Sequence, residues 1–88
     1  MIVNTLGLRH YKFKKPHIYD PVILITEPEN TFDKKAVAVH NRQGEKMGYI
    51  AKEGKANEKV FKKLKQGLLI AEVIEVYDNR LVVAINFR

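Results

Sequence analysis

Short apolar runs broken by turn residues make up most of this chain, and one stretch alone repeats at helical spacing. Ile2, Leu6 and Leu8, with Val3 and Thr5 between them, favour extended backbone and predict a strand over Ile2–Leu8. Residues 9–21, RHYKFKKPHIYDP, have no period and carry Pro16 and Pro21, so they read as an irregular basic and aromatic connection. Val22–Glu27 and Ala36–His40 are the second and third predicted strands. The glycine-containing turn NRQGEK then leads into a fourth strand, Met47–Ala51, and makes a hairpin of the pair.

Residues 53–66 carry the helical period: Ala56, Val60 and Leu64 recur every four positions and Phe61 widens the stripe. Lysines fill most of the other faces, and Gly67 marks the stop. Beyond it, LLIAEVIEVY and LVVAINFR flank a tight turn in which Asp78 and Asn79 suit positive φ. Leu81, Val83, Ile85 and Phe87 alternate cleanly, whereas Glu72 and Glu75 lie three apart and predict a bulged or strongly coiled fifth strand. Six short strands with one helix between the fourth and fifth predict a mostly β, single-domain chain: a small antiparallel barrel spanning 1–88.

Eighty-eight residues allow one domain with a modest core. No apolar run approaches the roughly 20 residues of a membrane span. The N-terminus lacks the basic and apolar regions of a signal peptide, and the absence of cysteine removes disulfides and thiolate metal sites. A cytoplasmic protein without membrane contact is the expectation.

Charge changes the picture because it is unevenly placed. The formal net charge is +6, and nearly all the excess sits in two blocks. Arg9, Lys12, Lys14 and Lys15 face no acid in residues 1–19, and six lysines outnumber Glu53 and Glu58 in residues 52–66. The sequence pI near 9.7 lies in the range of nucleic-acid binders. Solvated helix faces would also account for many lysines. The first block, however, interleaves cations with His10, Tyr11 and Phe13, and Tyr49 lies close to Lys52. Aromatic faces stack on bases while neighbouring cations meet phosphates, the usual means of holding single strands.

The segment EPENTFDKKAVAV, residues 27–39, puts three carboxylates, a proline and a lone aromatic between two apolar runs. Metal or acid–base chemistry is a poor fit. His10, His17 and His40 fall on separate elements, and neither a helical His-x-x-x-His pair nor a glycine-rich phosphate loop is present. No enzyme and no cofactor is expected. Pro28, Asn30 and Asp33 suit a turn stabilised by side-chain bonds to the backbone. Phe32 either caps the core or stacks on a ligand, and the residues leave both open.

GLRHY (7–11), EPENTFDKKAVAV (27–39) and GEKMGYIAKE (44–53) together resemble the HIRAN domain family. That domain occurs on helicase-like transcription factor ATPases that remodel stalled replication forks, and alone in bacterial and phage proteins. The resemblance implies an OB-like barrel and binding of the 3′ end of single-stranded DNA, with roles in DNA repair at forks. On it, Arg9 and His10 match an arginine–aromatic pair beside the terminal nucleotide, and Phe32 matches a base-stacking aromatic. Asp33 matches the carboxylate that accepts a hydrogen bond from the 3′-hydroxyl. Asn30 lies in the same loop, Tyr49 matches a base neighbour on the fourth strand, and Lys52 matches a phosphate contact. His10 stands where a member of that family has tyrosine, and Phe87 is the nearest candidate for a late aromatic. With no ATPase on this chain, remodelling would require a separate helicase or nuclease as partner. The alternative is a protein-interaction or adaptor domain of the same fold without end recognition.

Overall fold

The computed structural model describes residues 1–86, in which six strands and one helix follow the predicted order. They are β1 (Ile2–Leu6), β2 (Pro21–Glu27), β3 (Ala36–His40), β4 (Lys46–Ile50), α1 (Ala56–Gln66), β5 (Ile70–Val76) and β6 (Leu81–Asn86). All pairings are antiparallel, and the strands close into a barrel in the order β1-β4-β3-β2-β5-β6. Two seams are thin: Thr5 and Leu6 meet Ile50 and Tyr49, and Pro21 and Val22 meet Glu72 and Ala71. Phe87 lies outside the described residues.

Alternation explains the core. Val37 and Val39 of β3, Met47 of β4, Val73 of β5 and Val83 of β6 are fully buried inside the barrel. Val60 and Phe61 of α1 join the same cluster, and the helix packs on β3 and β2. Burial of such a side chain contributes about 1.5–3 kcal/mol, so α1 is a structural part of the domain.

Several predicted boundaries shift for backbone reasons. The first strand ends at Leu6 because Gly7, at φ 86, turns the chain into a short 3-10 turn over Leu8–His10. The helix begins at Ala56 rather than residue 53, because Gly54 (φ 56) and Lys55 (φ 59) both adopt left-handed backbone. Gly67 stops the helix in extended rather than left-handed conformation. In the β5–β6 turn neither Asp78 nor Asn79 takes positive φ; the Tyr77 N–H donates to the Arg80 carbonyl at 2.9 Å and closes it without that strain.

The bulge predicted in β5 is present: Ile74 is the extra residue between the pairs Val73–Val83 and Glu75–Val82. A second was not predicted. Met47 is extra between the pairs Val39–Gly48 and His40–Lys46. Beside it, a Cβ on Gly48 would collide with the carbonyl oxygen of Leu6, so glycine alone lets β1 approach β4 here. Buried Asn41 ties the β3–β4 turn to the irregular connection, accepting from Gln43 and Glu45 and donating to the Lys14 carbonyl at 3.1 Å.

Candidate nucleic-acid interface

The loop between β2 and β3 is organised by its own side chains. The Asn30 N–H donates to the Glu27 carbonyl at 3.0 Å, and the Asn30 Oδ1 accepts from the Phe32 and Asp33 N–H groups at 2.9 and 3.0 Å. The Asp33 Oδ1 then accepts from the Lys35 N–H at 2.9 Å. These are the Asx-type turns expected of Asn and Asp in such a loop. They leave Phe32 on the outside: its ring is 94% exposed. The core-cap reading of Phe32 is therefore wrong, because the turn directs the ring away from the barrel.

Asp33, the next residue of the loop, is half-buried. Its Oδ2 accepts from the amide of Asn57, in the first turn of α1, at 2.9 Å, and the Lys52 ammonium lies 4.0 Å away. A carboxylate oxygen has two lone pairs, so each oxygen of Asp33 keeps capacity for a ligand donor.

Tyr49 projects from β4 as the facing wall. Its ring meets that of Tyr11 edge-on, with centroids 6.2 Å apart at 61°. The Tyr49 hydroxyl donates to Glu27 Oε1 at 2.8 Å, and Lys46 donates to Glu27 Oε2 at 2.7 Å and to the Tyr49 hydroxyl at 3.0 Å. Burial pushes the Glu27 carboxyl up, but hydrogen bonds from Lys46, Tyr49 and Asn30 more than offset this and hold it below its ordinary value. The same bonds raise the Lys46 ammonium, and burial raises the Tyr49 phenol.

Asn30, Phe32, Asp33, Tyr49 and Lys52 thus line one cleft of about 520 Å³, together with Tyr11 and Glu29. Arg9 and His10 do not line it. Arg9 lines a neighbouring cleft of about 370 Å³ with Lys12, Lys15, Tyr77 and Asp78, while His10 is exposed and lines neither. Tyr11 is the aromatic shared by both clefts. The first cleft is also less basic than the sequence suggests: two carboxylates, Glu29 and Asp33, accompany Lys52 as its only charged lining. The cations are concentrated next door.

Lys46 and Asn57 were not singled out from the sequence, Glu27 was weighed there only as a metal or acid–base carboxylate, and Tyr11 was read only as one of the aromatics among the basic residues. Asn57 left one signal, since it lies three and four residues before Val60 and Phe61 and so falls on the apolar stripe. Among the described residues, no three His, Asp or Glu side chains converge as metal ligands.

The model of the HIRAN domain family matches residues 1–88. The fold is similar to the crystal structure of the HIRAN domain of human HLTF, with TM-score 0.81 and 22% identity, covering 97% of this chain and 71% of that one. It is also similar to a protein from Lactobacillus plantarum, with TM-score 0.79 and 25% identity, covering 96% and 87%. No curated protein matches the chain.

Proposed function

This chain belongs to the HIRAN domain family, and from that membership we propose that it is a non-enzymatic module that binds single-stranded DNA at its 3′-hydroxyl end. The observation that carries the reading is the pairing of neighbours on one loop: the Phe32 ring is held in solvent, the Asp33 carboxylate is half-buried, and both line the same cleft. The fold gains little from an aromatic so exposed, whereas a base stacked on it would bury its face.

A terminal 3′-hydroxyl donates to Asp33, and a 3′-phosphate is repelled by it and by Glu29. The weakly acidic character of the first cleft suits this discrimination. The second cleft, with Arg9, Lys12 and Lys15, suits the phosphates of the preceding nucleotides, and Tyr11 stands at the passage between the two. Lys52, 70% exposed, is free to meet a phosphate at the rim. Any remodelling at a replication fork would then belong to a separate partner, a helicase or nuclease, that this module directs to ends.

Fluorescence anisotropy with a 3′-hydroxyl single strand, the same strand with a 3′-phosphate, and a duplex tests the proposal. Preference for the hydroxyl end supports it, and equal binding of all three removes it. A protein-interaction role is the second reading. It draws on the exposed apolar side chains of Ile23, Ile25, Ile70 and Leu68, the last 90% exposed. Binding to none of the three oligonucleotides would favour it.

A further inference from the structure

Glu27 and Lys46 lie outside the cleft lining, yet both of its walls are tied to them. One Glu27 oxygen accepts from the Tyr49 hydroxyl at 2.8 Å and from the Asn30 amide at 3.2 Å; the other accepts from Lys46 at 2.7 Å. Asn30 fixes the backbone of Phe32 and Asp33, so Glu27 joins the loop wall to the tyrosine wall. Lys46 lies 5.1 Å from the Tyr49 ring centre and 5.6 Å from that of Tyr11, its charge set against both rings. Released from Glu27, that ammonium would attract any phosphate offered to the cleft, a terminal one included. Such an attraction works against the repulsion that Asp33 supplies.

We propose that Glu27 is a specificity-determining positioning residue: it holds Lys46 at the Tyr11 and Tyr49 rings and off the ligand, leaving Asp33 to decide which terminus is accepted. The idea rests on the end-recognition reading above. It has a signature that a merely structural role lacks, because removing the two partners changes binding in opposite directions. Glu27→Gln keeps the shape and one acceptor but frees the ammonium. Binding of 3′-phosphate strands should strengthen several-fold, the hydroxyl preference should shrink, and the salt slope should steepen by roughly 0.7, the value of one added phosphate contact. Lys46→Gln strands the Glu27 carboxylate and should weaken binding of both kinds of end without steepening the slope. The double variant should regain most of the wild-type preference.

The test is anisotropy across a salt series with thymidine octamers ending in 3′-hydroxyl or 3′-phosphate, alongside thermal unfolding of each variant. Wild-type protein that shows no hydroxyl preference overturns the end-recognition reading, and this inference with it. Wild-type preference that persists unchanged in Glu27→Gln, with an unchanged slope, overturns the role of Glu27 alone. So does equal weakening of both ends by the two single variants, the pattern of simple structural damage. If Glu27→Gln fails to fold, the double variant carries the test: loss of its end preference overturns the proposal, and retention supports it.

Discussion

Lys46 and Tyr49 stand three residues apart on one strand, yet the ammonium and the phenol meet at 3.0 Å on the same face of the barrel. In a regular strand, side chains three apart point to opposite faces. The extra residue at Met47 reverses the alternation between them and turns its own side chain into the core. One inserted residue therefore builds the wall on which Tyr11 and Tyr49 rest.

Phe32→Ala should cost about 1–3 kcal/mol of single-strand binding if the ring stacks on a base. The melting temperature should hardly move, because the ring is solvent-exposed and contributes little to the core. Anisotropy and thermal unfolding on the same variant check both halves. Unchanged affinity would remove the ring from the site.

Lys52 bears on the ionic part of binding. The wild-type logarithm of affinity should fall against the logarithm of salt with a slope of roughly −0.7 per phosphate contact, with about two to four contacts. Lys52→Ala should flatten that slope by less than one unit and leave the end preference intact. A wild-type slope near zero would be fatal to the phosphate contacts of both clefts.

Asp33→Asn keeps the shape and the bond to the Lys35 N–H but removes the charge. Two unit charges about 4 Å apart interact by around 4 kcal/mol at an effective dielectric of ~20 before screening. About 1.4 kcal/mol of that already gives a tenfold preference for a hydroxyl over a phosphate end. The variant should lose most of this preference while still binding through stacking and phosphate contacts. Discrimination equal to wild type would make Asp33 an ordinary turn residue.

The Glu27 carboxyl is held below its ordinary 4.5 by its three donors, despite burial acting the other way. A carboxylate depressed in the folded state adds stability that is fully present above its unfolded value and fades as pH falls through the folded one. The melting temperature of wild type should therefore exceed that of Glu27→Gln near neutrality, and the gap should narrow below about pH 4.5. Unfolding scans between pH 7 and pH 3 measure it. A gap independent of pH would show that the bonds to Glu27 depend on shape and not on its charge.

The strands and the loop were legible because their signals are local. An unbroken apolar run marks β3, period-two alternation marks β6, and Asn30 and Asp33 organise their loop through neighbours within three residues. The helix was legible in its body but not at its start, where nothing about Lys55 announces a left-handed backbone. His10 and Tyr11 could not be told apart as cleft-lining residues, since the choice depends on the turn that follows Gly7. The Glu27–Lys46–Tyr49 contacts join separate strands through the bulge at Met47, and no period in a single strand encodes them.

Asn57 gives the loop and the helix a shared fate. It is buried in the first turn of α1, and its amide is committed to Asp33, 24 residues away in sequence. A local opening that frays this turn withdraws a donor from Asp33, and a ligand that engages Asp33 acts on the same contact. Linkage makes the effect reciprocal: whatever occupancy of the cleft does to order at the start of α1, that order does equally to affinity. Amide hydrogen exchange in the first turn of α1 thereby becomes a reporter of the cleft, and the helix a lever by which changes along its own length reach it.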